Sequence, residues 1–140
     1  MNIKPLNIVF ESFGDFMDRA EKKLKKAAQT GKLQKRPQNE LRFASVVAYQ
    51  QVMSDQKYAI LATVCKHRPQ SIYQLAKFLG RTTQNVIRDC RVLEGHGFMT
   101  FEEIGDGRKT KAPRLAFDYN AIVIHMPSIT YKVEFESDAA

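Results

Sequence analysis

The sequence predicts an α+β fold: a three-helix core closed by a β-hairpin, with a helical extension on its N-terminal side. Three observations predict it. First, two short segments with helical apolar spacing, SIYQLAKFLG and TTQNVIRDCRVLEGHG, meet at a tight turn after Gly80, the pattern of two helices joined by a short turn. Second, the chain continues directly into FMTFEEI, then Gly105-Asp106-Gly107, then APRLAF. Two runs of branched and aromatic residues on either side of a glycine-rich turn read as a hairpin. Third, DQKYAILATVCKH lies just upstream and supplies the first of the three helices. A chain of 140 residues with 44% hydrophobic content and no Trp suits one compact domain, alone or with an appendage.

From the start of the chain, Asn2 to Phe10 is short, apolar and interrupted by Pro5, which fits a short strand or an extended arm. Glu11 to Gln29 reads as a helix. Ser12 is placed to cap it, with Asp15 three residues on in the capping-box position. Phe13, Phe16, Met17, Ala20 and Leu24 recur at helical spacing. Lys22, Lys23, Lys25 and Lys26 complement the negative end of the helix dipole, and Gly31 supplies a stop. Gly31 to Asn39 is polar, basic and contains Pro37, so it reads as a linker. The expected division is therefore an N-terminal helical arm and basic linker over 1–39, a domain over 40–127 and a tail over 128–140; the apolar stripe of the arm's helix is read as a dimerisation surface, as packing on its own domain or, with its lysines, as a DNA arm.

Within the domain, LRFA suggests a short strand and Ser45 to Met53 a helix. Ser54 offers a cap for the first core helix, whose Tyr58, Leu61, Ala62 and Cys65 fall on one face. Ser71 caps the next, with Ile72, Leu75, Ala76 and Leu79 as its inward stripe and Gly80 at its left-handed end. Thr82 or Thr83 caps the third helix and Gly97 stops it. AIVIHM, ending at Pro127, is a last strand-like run. Cys65 and Cys90 each sit in an apolar helical pattern with no CxxC spacing, and are expected to be buried thiols.

The third helix has two chemically distinct faces. With about 100° per residue, Cys90, Leu93 and Gly97 fall within roughly 40° of Val86. The opposite side carries Gln84, Arg88 and Arg91, with Asn85 flanking and Arg81 leading in. Arg presents two donors to a guanine edge, and Gln or Asn pairs with adenine, so this mixture suits the major groove of double-stranded DNA better than a merely solvated face would. At the hairpin tip, Arg108, Lys109 and Lys111 surround Thr110, placing cations where a neighbouring phosphate or minor groove could be reached. A net charge of +7 agrees with a polyanionic partner, nucleic acid before an anionic membrane surface.

The run SIYQLAKFLGRTTQNVIRDCRVLEGHGFMTFEEIGDGRKTKAPRLAF resembles the winged helix-turn-helix of MarR-like transcriptional regulators. The likeness covers roughly Met53 to Phe117 and rests on S-x-x-x-L-A-x-x-L-G, on V-x-R-x-C-x-x-L-E-x-x-G-F, and on the Arg-Lys hairpin. It implies a recognition helix contacting DNA through Arg81, Thr82, Thr83, Gln84, Asn85, Arg88 and Arg91, and a wing contacting it through Arg108, Lys109 and Lys111. The long dimerising helix pair of full MarR proteins is not evident. The chain is similar to a smaller subgroup, some members of which resemble antitoxins. The expected function is a sequence-specific DNA-binding regulator, a repressor acting as a homodimer. The alternatives are an antitoxin-type DNA binder that also neutralises a toxin partner, and a winged-helix adaptor that binds protein instead of DNA.

Enzyme classes fit poorly. His67, His96 and His125 lie in separate elements, and no HExxH, GxSxG, GxGxxG or P-loop spacing occurs. Glu102 and Glu103 are adjacent in a strand and point to opposite faces. No cofactor or metal is expected. With no secretory leader pattern and no apolar run near the ~20 residues of a membrane span, the expectation is a cytoplasmic protein without membrane contact.

Overall fold

The computed structural model describes residues 2–32 and 39–126. Most of the expected linker, including Pro37, and the expected tail over 128–140 lie outside them. The described elements are β1 (Pro5–Phe10), α1 (Phe13–Thr30), β2 (Glu40–Phe43), α2 (Val46–Val52), α3 (Asp55–His67), α4 (Ile72–Leu79), α5 (Thr83–Gly95), β3 (Met99–Ile104), β4 (Thr110–Leu115) and β5 (Ala121–His125).

Helix starts follow the capping residues. Ser12, Ser45, Ser54, Ser71 and Thr82 each accept a hydrogen bond from the backbone N–H three residues on, satisfying a donor that the first turn leaves open. Gly80 ends α4 with φ 64°. Gly97 turns the chain from α5 into β3 at φ 88°, and a Cβ there would stand 3.1 Å from the Leu41 side chain. That position therefore needs glycine for backbone conformation and for space alike.

Helices α3, α4 and α5 pack around Ile60, Leu61, Val64, Leu75, Ala76, Val86, Cys90 and Leu93, and Phe98 and Met99 join them from the start of the hairpin. Strands β3 and β4 form that antiparallel hairpin, in register from Met99 opposite Leu115 to Ile104 opposite Thr110. This three-helix core with its β-hairpin is a winged helix-turn-helix.

A second sheet was not anticipated. β1 is its central strand, parallel to β2 on one side and to β5 on the other. The expected division assigns β1 to the N-terminal arm, whereas Leu6 and Ile8 are fully buried in the common core. Alternation puts buried Leu6 and Ile8 on the same side of the sheet as Ile122, which packs on the core, and Ile124, which is exposed at an open cleft, while Asn7 and His125 bond to each other on the other side at 2.8 Å. Lys4 ties the two chain regions together through an exposed ion pair to Asp118 and a backbone bond to Asn120.

The core row of α3 also differs from expectation. Ile60, Leu61 and Val64 are buried, but Ala62 and Cys65 are exposed. Tyr58, Leu61, Ala62 and Cys65 do form one row, which lines an open cleft against β5 instead of the packed centre. Apolar residues run around most of α3, so spacing alone does not orient it. The expected burial of both cysteines is thus corrected for Cys65 and holds for Cys90.

Candidate nucleic-acid interface

The second helix of the turn motif, α5, is held by its apolar side. Val86, Cys90 and Leu93 have no exposed surface, and burial pushes the Cys90 thiol up to about 12. Phe98 continues this seam, and the Tyr119 hydroxyl donates to its carbonyl at 2.7 Å. The opposite side of the helix is therefore presented on a rigid support.

On that side Gln84, Asn85, Arg88 and Arg91 are all exposed. Among the described residues, neither Arg88 nor Arg91 forms an ion pair. Thr82 and Thr83 are exposed at the helix start, but the Thr82 hydroxyl is engaged as the cap, accepting from Asn85 at 3.3 Å. Arg81 behaves differently. Its guanidinium donates to Asp89 at 2.9 Å, and both side chains are about four-fifths buried. Arg81 thus ties the turn to the second turn of α5 and fixes the angle at which the helix leaves it.

The hairpin places Arg108 and Lys109 in the loop after Gly107, and Lys111 in β4, all exposed. Gly105 and Gly107 have φ 106° and 93°, which lets the loop reverse in few residues. Lys111 stands opposite Glu103 across the hairpin, so its charge is partly offset there, whereas Arg108 and Lys109 form no ion pair among the described residues. Arg114 braces the hairpin root. It donates to the Pro69 carbonyl at 2.7 Å, to that of Pro113 at 2.8 Å and to Glu102 at 3.3 Å.

Two residues that sequence reading passed over belong to the same surface. Tyr73 and Lys77 are exposed on α4, with the Lys77 ammonium 5.2 Å from the centre of the Tyr73 ring. They line a cleft between α4 and the wing together with Gln70, Gly105, Arg108 and Thr110. The available signal was an aromatic and a cation four residues apart on the side of α4 away from Leu75 and Ala76. Other groups are structural. His96 caps α5 and stacks on Phe43 at 5.8 Å, and His67 stacks on Phe78 at 4.5 Å. Among the described residues no group of three or more His, Cys, Asp or Glu could hold a metal, and no helix is long and apolar enough to cross a membrane.

A family model, HVO_A0114, matches residues 52–124, just over half of the chain. The chain belongs to the HVO_A0114 family. The matched segment runs from the end of α2 through the turn motif and wing into β5, so the family spans the candidate surface in full. No curated protein matches the chain. Solved structures resemble it more distantly. A transcriptional regulator homologue from Pyrococcus horikoshii OT3 is 19% identical, with 48% of this chain and 73% of that one covered and a TM-score of 0.39. The transcriptional regulator PA3341 is 15% identical over 74% and 64%, with a TM-score of 0.42. The MarR family regulator NMB1585 from Neisseria meningitidis is 15% identical over 71% and 61%, with a TM-score of 0.38. The chain spans less than two thirds of the length of the latter two. In this HVO_A0114-family chain, the winged helix-turn-helix is carried by the chain's own elements and register.

Proposed function

We propose that this chain is a sequence-specific DNA-binding transcriptional regulator, a repressor that occludes its operator as two copies on a two-fold site in the cytoplasm. One observation carries the reading. The outward face of α5 collects Gln84, Asn85, Arg88 and Arg91 in the open, with no acidic partner for either arginine among the described residues, above a buried inner row of Val86, Cys90 and Leu93. A face of this kind can form paired hydrogen bonds to guanine and adenine edges at low ordering cost, because its backbone is already fixed.

The remaining residues take supporting roles. Arg108, Lys109 and Lys111 of the wing, with Lys77 of α4, supply phosphate contacts that set orientation without reading sequence. Thr82 and Thr83 stand at the positive end of the α5 dipole, where a phosphate is favoured. Arg81 acts through its bond to Asp89, holding the reading helix at its angle.

Selection from a randomised duplex pool tests this. The expected result is an enriched two-fold motif that Arg88→Ala fails to retain. Recovery of no motif, with the wild-type protein folded, would move the reading to a protein-binding adaptor.

A further inference from the structure

The parallel sheet ends in an apolar edge. Among the described residues, β5 bonds to β1 on one side and to no strand on the other. Val123, Ile124 and Met126 are 38%, 41% and 50% exposed along it. A bare edge strand leaves a row of backbone N–H and C=O groups open to pairing, and sheets blunt or cover such rows. The strand itself, AIVIH, has no proline or lysine with which to blunt its edge.

The same edge borders a cleft that lacks an outer wall. Tyr58, Leu61, Ala62 and Cys65 of α3 form one side, and Ile122 and Ile124 of β5 another. Ala62, Cys65 and Ile124 are exposed there. The Cys65 thiol donates to the Tyr119 carbonyl at 3.7 Å, which places Cys65 at the end of the cleft where β5 begins. A strand laid beside β5 would run about 4.8 Å from it, and its inward side chains would close the cleft over α3.

The chain continues at this edge. Residues 127–140 follow Met126 directly and lie outside the described residues. Their sequence sets Ile129, Tyr131, Val133 and Phe135 in alternation with Thr130, Lys132 and Glu134, the period of a strand with one apolar face. In an antiparallel return, residues directly opposite share a face, so loop length decides the phase. An even loop brings the odd-numbered apolar set opposite Ile122, Ile124 and Met126. An odd loop would bring Thr130, Lys132 and Glu134 there instead. Pro127 decides between the even loops. Two-residue turns need a positive φ at their first central position, which proline does not adopt, whereas four-residue loops are built around a type I turn, where proline is favoured. A loop of Pro127 to Thr130 sets Tyr131 opposite Met126, Val133 opposite Ile124 and Phe135 opposite Ile122.

We propose that residues 131–135 dock as a fourth strand on β5 of their own chain, with Val133 and Phe135 closing the cleft over α3. The short tether favours this occupant over a second copy, because it holds the segment at an effective concentration on the order of millimolar. A small apolar ligand could fill the cleft but would leave the backbone row of β5 unpaired. The returning segment answers both needs.

Alkylation of Cys65 in the folded full chain reads the cover, since Phe135 opposite Ile122 is the docked side chain nearest that thiol. Val133→Ser with Phe135→Ser should speed the reaction by about tenfold or more, because burial of two such side chains favours docking by at least that factor. Lys132→Ser with Glu134→Ser, on the outer face, should leave the rate unchanged. Cys90 should stay unreactive in every sample, which shows that the core is folded. A rate unaltered by the Val133/Phe135 change overturns the proposal, as does equal acceleration by both pairs of substitutions. A wild-type rate that falls as protein concentration rises also overturns it, by assigning the cover to a second copy.

Discussion

Helices α5 and α1 carry the same kind of sequence pattern and meet opposite ends. Both have an apolar stripe at helical spacing with polar residues opposite. In α5 the stripe Val86, Cys90 and Leu93 is fully buried. In α1 the stripe Phe13, Met17 and Leu24 is half or more exposed. A stripe states that a helix needs a partner surface, not where that surface is. For α5 the partner is the chain's own core, which fixes the opposite face, the one proposed to read DNA. For α1 the described residues provide no surface that covers the stripe.

The largest expected effects bear on this contrast directly. Leu93→Ala should destabilise the fold by about 2–5 kcal/mol, since its side chain has no exposed surface and would leave a cavity. Leu24→Ala should change the unfolding free energy from urea titration by no more than about 0.5 kcal/mol, as for an ordinary surface site. Equal losses from both would mean that α1 packs on its own domain. The outward faces should separate next. Arg88→Ala should cost about 1–3 kcal/mol on the preferred duplex and relax preference at one base pair. Lys109→Ala should weaken binding to all duplexes alike and lower the salt slope by about one unit.

The smallest effects concern the two thiols. Cys65 should react with an alkylating reagent in the folded chain, and Cys90 only on unfolding. In the unfolded chain the Cys90 thiol ionises near 9.0, whereas in the fold it is pushed up to about 12. The fold therefore favours the protonated form. That contribution is complete below pH 9 and is lost as pH rises toward 12. Denaturation midpoints of Cys90→Ala should fall less steeply over that interval than those of wild type.

Much of the winged helix was legible because its signals are local. Ser54, Ser71 and Thr82 each cap within three residues, Gly80 adopts the left-handed conformation expected at a helix end, and Gly105 and Gly107 do so at the hairpin tip. The parallel sheet was not legible, since β1 and β5 are separated by nearly the whole chain and nothing local couples Leu6 to Ile122. The orientation of α3 escaped because its apolar residues surround it. On the candidate surface, the outward residues of α5 could be read from helical spacing. The engagement of Arg81 with Asp89 could not, because it crosses a turn whose geometry had first to be known.

The most direct measurement of the central claim is a salt series comparing a selected duplex with a scrambled one of equal length, for wild type and Arg88→Ala. Wild type should still prefer the selected duplex at about 150–200 mM salt, where non-specific counterion release has faded, and Arg88→Ala should lose the preference. Equal binding of both duplexes at every salt concentration, disappearing together as salt rises, would contradict it.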